Sequence, residues 1–216
     1  RWYEANKTGT TYEVGANPYG IGCYGGMIWS SNHFGNTVTK MRASDGTTLG
    51  TFSVGSYPIG VAFDGANIWV VNNNSNSVTK LRARDGVCVG TCTFAVGSGP
   101  SLIAFDGANV WVTNQTSNSV TRLRATDGAC VGTCTFTVSG PHGIAYDGAN
   151  IWVTNRFSNN ITKLRASDGA LQGTFGTGTD PMHVAFDGVN IWVSNYGSGN
   201  VSKFRASDGA LQGTFA

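Results

Sequence analysis

The sequence predicts an all-β fold, a five-bladed β-propeller with four antiparallel strands per blade and repeats of about 40 residues. Three observations predict this fold. Five similar segments, spaced about 40 residues apart, open at Pro18, Pro58, Pro100, Pro141 and Pro181. Each segment contains four short strand patterns separated by turn residues. The composition agrees, because Gly accounts for 31 of 216 residues and charged residues for only 12%.

The second repeat illustrates the four strands expected in each blade. Its β-branched and alternating residues predict strands at Ile59–Phe63, Asn67–Val71, Ser77–Ala83 and Val89–Val96. Asp-Gly pairs end the first and third strands, because Gly supplies the positive φ of a tight hairpin turn. A solenoid of β-arches is the structural alternative, but its repeats are usually shorter.

The repeats follow one another without a linker or a change of composition, so residues 1–216 are expected to form a single domain. Its blades start near residues 18, 58, 100, 141 and 181, after an N-terminal segment at 1–17. The net charge of +2 is too small to predict a nucleic-acid partner. No apolar run approaches the ~20 residues of a membrane span.

The second strands carry a recurring motif that resembles a known repeat. It reads IWVVN at 68–72, VWVTN at 110–114, IWVTN at 151–155 and IWVSN at 191–195. These segments resemble the YVTN repeat, which builds propellers in bacterial secreted proteins and archaeal surface layers. The strand openings of the PxGIAxDG type resemble NHL-type propellers and streptogramin lyase. The resemblance covers about nine tenths of the chain and implies a propeller, a fold that hosts many functions.

The N-terminal segment contains a surplus strand. TTYEVG at Thr10–Gly15 aligns with the fourth strand of repeat one, although repeat five already ends in its own fourth strand. Three interpretations follow: the segment closes its own ring and leaves 210–216 as a weak edge, it adds to a neighbouring molecule, or the chain is part of a longer propeller. The residues of the closing or exchanged strand are Thr10, Thr11, Tyr12, Glu13 and Val14.

Four of the five Cys lie in two identical CVGTC segments before the fourth strands of repeats two and three. The pairs Cys88–Cys92 and Cys130–Cys134 are predicted to form local disulfides, since neither pair has further ligands nearby in sequence for a metal ion. Cys23 aligns with Phe63 and is expected to be a buried thiol. Disulfides predict a secreted or cell-surface protein, and a chain that begins at Arg1 fits removal of a signal segment.

The acidic residues offer little for catalysis or metal binding. Nine of the twelve are Asp in repeated Asp-Gly turns, which leaves Glu4, Glu13 and Asp180. We therefore expect no metal and no cofactor. His142 is a weak catalytic candidate, because it opens an innermost strand in a Gly-Pro-His-Gly context similar to streptogramin lyase, a family that uses a His and a Glu. No Glu accompanies His142 within the repeats, so a channel-lining His bonded to a carbonyl group or water is the simpler interpretation.

Two further sets of residues repeat or cluster. Each third strand carries two basic residues on one face, expected to cover the strand and pair with turn Asp, or else to form five anion or glycan stations. The second-strand Trp residues are expected to pack in the core between blades. A role as stacking surfaces for sugars is the less favoured alternative. The variable turns predict a contact rim at one end of the propeller. The rim residues are Phe34, Tyr57, Arg156, Phe157, Asp180 and Tyr196.

These observations predict a non-enzymatic, extracellular structural or adhesive propeller. Its expected partner is itself, in a homo-oligomer or filament joined through the spare strand, or a surface protein or glycan. A lectin with five equivalent sites is one alternative, and an enzyme similar to streptogramin lyase is another.

Overall fold

The computed structural model describes residues 11–88, 90–130 and 132–216. These residues form twenty β-strands in five separate four-stranded antiparallel sheets, the five blades. No helix of the described ranges is long and apolar enough to cross a membrane. The all-β class and the five blades are confirmed.

The strands of blades one to three are as follows. Blade one contains β1 (Pro18–Tyr24), β2 (Met27–Asn32), β3 (Thr37–Arg42) and β4 (Thr48–Ser53). Blade two contains β5 (Pro58–Phe63), β6 (Asn67–Asn72), β7 (Ser77–Arg82) and β8 (Thr93–Ala95). Blade three contains β9 (Pro100–Phe105), β10 (Asn109–Asn114), β11 (Ser119–Arg124) and β12 (Thr135–Thr137).

Blades four and five repeat the pattern. Blade four contains β13 (Pro141–Tyr146), β14 (Asn150–Asn155), β15 (Asn160–Arg165) and β16 (Leu171–Gly176). Blade five contains β17 (Pro181–Phe186), β18 (Asn190–Asn195), β19 (Asn200–Arg205) and β20 (Leu211–Phe215). Each sheet has its strands in chain order, and the first strands of neighbouring blades lie side by side.

The turns between first and second strands are held by an aspartate and a tryptophan. In blade four, Asp147 accepts hydrogen bonds from the backbone N–H groups of Ala149 and Asn150 and from Trp152 Nε1 at 2.7 Å. The same Asp–Trp bond recurs in blades two, three and five at 2.7 Å. Blade one has Gly25-Gly26 at this turn, and Trp29 Nε1 is buried with no hydrogen-bond partner among the described residues.

The turns between third and fourth strands are held by an arginine and an aspartate. An Arg that ends the third strand pairs with the turn Asp three residues later in all five blades, which confirms the expected pairing. The bonds to Arg82, Arg124 and Arg165 lower the pKa of Asp85, Asp127 and Asp168 to about 2. All nine Asp-Gly turns therefore serve strand connections.

Four apolar clusters join the blades in chain order. Each contains the buried Trp of one blade and the second-strand Ile or Val residues of the next. Trp29, Trp69, Trp111 and Trp152 are completely buried, so their assignment to the core is confirmed, whereas Trp192 of the last blade is only half-buried.

The basic residues next to these tryptophans join the blades through polar contacts. Lys80 Nζ donates to the carbonyl oxygens of Ala125 and Thr126 in the following blade, at 2.7 and 2.9 Å. Lys163 does the same to Ala206 and Ser207. These cations and the arginines that pair with Asp lie on the same face of each third strand. The sequence therefore did not show that the two sets have different partners.

The fourth strands of blades two and three are shorter than expected. Of the predicted strand Val89–Val96, Val89 lies outside the described residues, and the observed strand is Thr93–Ala95, which begins directly after the disulfide-bonded Cys92. Both disulfides, Cys88–Cys92 and Cys130–Cys134, are present, with Cα atoms 5.6 and 5.5 Å apart. The predicted pairing is confirmed.

The described part of the surplus strand joins no sheet. Residues 11–14 pair with no strand of the described chain, while β20 pairs with β19 in the same register that β16 has with β15. Thr10 lies outside the described residues. The first strands of blades one and five show no contact comparable with those between consecutive blades of the described chain. The three interpretations of this segment stay predictions.

Cys23 is exposed rather than buried. Its counterpart Phe63 in blade two packs against blade one. No described blade precedes blade one, so no equivalent contact covers Cys23. The prediction was wrong because it treated every repeat as an internal one.

The Asp–Trp bond yields a stability prediction. Asp147→Ala removes an acceptor that a buried Trp indole and two backbone donors share, so we expect a loss of about 1–3 kcal/mol in the free energy of unfolding. Urea denaturation followed by Trp fluorescence measures it. The matched control is Asp168→Ala, which removes an exposed ion pair to Arg165 and an exposed backbone bond from Ala170, and is expected to cost less than Asp147→Ala. Equal losses for the two variants would contradict the role given to the indole bond.

Candidate functional site

The candidate site is the end of the propeller at which the first strands begin. The register pairs the proline that opens each first strand with the Asn that ends the second strand, for example Pro141 with Asn155 and Pro181 with Asn195. The variable turns after the second strands therefore lie at this end, here called the mouth. All Asp-Gly turns lie at the opposite end.

His142 lies buried at the mouth between blades four and five. Its side chain is 8% exposed, and its Nδ1 lies 3.0 Å from the carbonyl oxygen of Met182. The ring stands edge-on to His183 with the ring centroids 5.6 Å apart. Burial lowers the pKa of His142, so its ring is neutral at pH 7 and donates its Nδ1 proton to Met182. The bond to a carbonyl group agrees with the simpler interpretation of His142, and its place on a central channel stays a prediction.

The surroundings of His142 lack the parts of a catalytic group. No described Glu side chain contacts it, and no hydrogen bond joins it to Ser101, which is also buried. No group of three or more His, Cys, Asp or Glu among the described residues is arranged to hold a metal ion. The neutral imidazole is bonded to a backbone carbonyl, and among the described residues no hydrogen-bond partner is present that would make it a general base.

The first part of the predicted rim lies at the junction of blades four and five. Arg156 pairs with Asp180 across the two blades at 2.6 Å, and its guanidinium lies 5.5 Å from the ring centroid of Phe157. The Asp180 carboxylate raises the pKa of Arg156, with smaller contributions from the phenols of Tyr19 and Tyr196. Phe157 and Tyr196 are 70% and 77% exposed. Charged and aromatic groups thus share this edge.

The second part of the rim is an aromatic cluster at the junction of blades one and two. Phe34 and Tyr57 lie 5.5 Å apart in an edge contact. His33 contacts both rings and also Tyr19, at centroid distances between 4.5 and 5.5 Å. Phe34 and Tyr57 were predicted as rim residues from the sequence, whereas Tyr19 and His33 were not. His33 lies in a variable turn and Tyr19 follows an opening proline, and these two positions could have identified them.

Tyr57 and Asp180 share an unusual backbone conformation. Both precede the opening proline of a blade with φ of 57° and 53°, where repeats three and four have glycine. Their N–H groups are held by the side-chain oxygens of Asn36 and Asn159 in the preceding blade. A non-glycine residue in the left-handed region costs free energy, so these two side chains are held at the rim against a local preference.

The residues proposed as repeated glycan stations have structural roles. Four Trp faces are completely buried, and the cations of Lys40, Lys80, Arg122 and Lys163 are bonded to backbone carbonyls of the following blade. Asn114, which ends a second strand, is also completely buried and donates to Ser119 and Thr121. These contacts leave no set of five free sugar-binding positions on the repeated residues.

Comparison with solved structures supports the fold. The chain superposes on a catalytically inactive virginiamycin B lyase from Staphylococcus aureus, solved with quinupristin, with a TM-score of 0.78 and 19% identity over 94% of this chain and 71% of that one. A protein of unknown function from Desulfotomaculum acetoxidans gives 0.78 and 16%, over 94% and 70%. A 6-phosphogluconolactonase-like protein from Bacteroides uniformis gives 0.75 and 18%, over 92% and 69%.

At these identities the likeness concerns the fold alone. No family model and no curated protein matches the sequence. The expected structural relation to streptogramin lyases is confirmed, whereas membership of the YVTN or NHL families stays a prediction. Parts of each neighbour have no counterpart in this chain.

The burial of His142 yields a titration prediction. Because burial lowers its pKa below the ordinary 6.5, the folded state resists protonation, and stability is complete above pH 6.5 and falls as the pH drops below it. NMR of the imidazole protons, with His142→Asn to assign the signal, measures the pKa, and denaturation at pH 7.5 and 5.5 measures the stability. The stability difference is expected to shrink in His142→Asn. A pKa at or above 6.5 would contradict the buried, neutral ring.

Proposed function

We propose that this chain is a non-enzymatic structural propeller that acts outside the cell and assembles with itself. Two local disulfides support an oxidising, extracellular location. The observation that carries the proposal is the surplus strand: residues 11–14 align with a fourth strand but pair with no strand of the described chain. An unpaired strand offers a row of backbone donors and acceptors to another chain.

The conserved chemistry of the repeats also supports a structural role. Their Asp, Trp, Lys and Arg side chains are used in turns and between blades. The rim groups Phe34, Tyr57, Arg156, Phe157, Asp180 and Tyr196 offer a second contact surface for a surface protein or glycan.

Assembly state tests the proposal. We expect the full chain to form ordered oligomers or filaments, visible by electron microscopy and measured by light scattering as a mass that rises with concentration. Deletion of residues 1–15 is expected to abolish them, and Phe157→Ser at the rim serves as a control that leaves them unchanged. A monomer at high concentration would overturn self-assembly, and the rim would then be tested with a glycan panel.

An enzyme similar to the streptogramin lyases is the second candidate, supported by the likeness in fold and by His142 at the mouth. Because His142 is neutral, buried and bonded to Met182, we expect the chain not to open the ring of quinupristin. Mass spectrometry of quinupristin incubated with the protein measures this. Turnover that is lost in His142→Ala but kept in the control His183→Ala would favour the enzyme over the structural role.

A further inference from the structure

A cavity of about 560 Å³ lies between blades one and two, at the end of the propeller that carries the Asp-Gly turns. Its walls include Tyr24 and Met27 of blade one and Ala66 and Arg84 of blade two. Both blades belong to the described chain, so the cavity is formed by a junction inside the structure. Its volume is in the range of small-molecule sites.

The equivalent cavity between blades three and four contains a carboxylate. Asp106 lines that cavity, and its carboxylate accepts a hydrogen bond from Trp111 Nε1 at 2.7 Å. The repeats align Tyr24 with Asp106, and Met27 with Asn109. The cavity between blades one and two therefore has the same place in the fold, but the first turn of blade one supplies no carboxylate to it.

The indole of Trp29 keeps the position of its counterparts although the aspartate is missing. Its ring centroid lies 5.5 Å from that of Phe52 with an interplanar angle of 34°, the same values that Trp69 has with Phe94. The Nε1–H of Trp29 is therefore directed at the first turn, as it is in the blades with an aspartate. This donor is buried and has no hydrogen-bond partner among the described residues. A buried donor without an acceptor costs free energy, which a bound acceptor would recover.

The backbone of the first turn of blade one is closed without an aspartate. Gly25 and Gly26 have φ of 52° and 74°, and Tyr24 and Met27 are ladder partners on either side of them. In blades two to five the Asp carboxylate instead accepts hydrogen bonds from two backbone N–H groups of the turn. The indole N–H is thus the donor that this exchange leaves without a partner in the described chain.

The blades with an aspartate show that this position stabilises a negative charge. Burial alone would raise the pKa of Asp147, but hydrogen bonds from Trp152, Ala149 and Asn150 outweigh it, so the pKa lies below its ordinary value. The same balance lowers the pKa of Asp64. A carboxylate that reaches this position is therefore favoured as the anion.

The cavity between blades one and two is also more positive than its counterpart. Lys40, Arg82 and Arg84 line it, and Asp85 pairs with both arginines. At the position of Arg84, the cavity between blades three and four has Ser167. The Arg84 side chain is 75% exposed, so it can turn toward a ligand in the cavity.

Lys40 has donor capacity left for a ligand. Its ammonium donates to one carbonyl oxygen among the described residues, that of Arg84 at 2.7 Å, whereas Lys80 and Lys163 each donate to two. An ammonium group has three N–H donors. An anion in the cavity can therefore accept from Lys40 while the bond between the blades is kept.

We propose that the cavity between blades one and two is a binding site for a small organic carboxylate. The carboxylate takes the place that Asp106 has in the equivalent cavity and accepts a hydrogen bond from Trp29 Nε1. Lys40 and Arg84 supply the positive charge that holds it. This site lies away from the mouth and does not depend on the proposed self-assembly.

The walls of the cavity also define the rest of the ligand. Tyr24 offers an aromatic surface for an apolar group next to the carboxylate. Met27 lines the cavity and packs against the cluster that contains Trp29. Because a Met side chain is unbranched and flexible, Met27 can move aside and let the carboxylate reach the indole.

The indole N–H signals of the 15N-labelled full chain test the site, with benzoate as the probe. In the free protein the Trp29 signal, assigned with Trp29→Phe, is expected upfield of those of Trp69, Trp111 and Trp152, because hydrogen bonding moves an N–H proton downfield. Benzoate is expected to move the Trp29 signal downfield with a Kd of about 1 mM and to leave the other three in place. Benzyl alcohol, which has the ring without the charge, is expected to have no effect at the same concentrations. A Trp29 signal that is already downfield in the free protein, or that does not respond to benzoate, would overturn the site.

Tyr24→Asp returns a carboxylate to blade one and tests the replacement directly. The Trp29 signal is expected to move downfield without ligand, and its response to benzoate is expected to be lost. Tyr24→Phe is the matched control, which keeps the aromatic wall and is expected to bind benzoate as the unmodified chain does. A folded Tyr24→Asp variant that binds benzoate as tightly as Tyr24→Phe would contradict the proposal.

Arg84→Ser tests the charge of the cavity without a change in the core, since blades four and five have serine at this position. It is expected to weaken benzoate binding about fivefold, the effect of one exposed charge pair. The control Arg165→Ser removes an arginine from the cavity between blades three and four and is expected to leave the Kd for benzoate unchanged. An unchanged Kd in Arg84→Ser, or equal losses in the two variants, would show that the cavity does not hold the anion.

Discussion

The structure depends on the packing of each blade against the next. A single four-stranded sheet of this length cannot bury its Trp, and each Trp becomes completely buried only when the following blade supplies Ile, Val and Leu side chains. Beside the same Trp, a Lys ammonium donates hydrogen bonds to backbone carbonyls of the next blade. The stability of every repeat is therefore shared with its neighbour, and Trp192, which no described blade follows, is only half-buried.

Much of the fold could be predicted from the sequence because the same pattern of strands and turns occurs in five repeats. The opening prolines, the Asp-Gly turns and the Trp positions identify strands, turns and core, and the CVGTC spacing identifies the disulfides. The prediction for Cys23 failed because it lies in blade one, which no described blade precedes, so the environment of an internal repeat does not apply to it. The role of Lys as an interblade donor was also hidden, since its acceptors are backbone carbonyls that carry no sequence signal.

The candidate site was less predictable than the fold. His142 was found because it departs from its repeat counterparts, and its environment agrees with a neutral lining residue. Tyr19 and His33 were missed because their contribution arises from contacts between two blades. The rim is defined by departures from the repeat, such as Tyr57 and Asp180 in a left-handed conformation, whereas the repeated side chains maintain the frame.

Blade one differs from the other blades in a way that bears on how the molecule opens. Its first turn has two glycines in place of the Asp that anchors the indole, so Trp29 is buried with no acceptor among the described residues. An indole N–H that is buried without an acceptor loses its hydrogen bond to water and gains none in return. Blade one is therefore held less firmly than the blades in which the Asp–Trp bond is present, and it opens locally more often. Its amide hydrogens would exchange with solvent faster than those of blades two, three and four.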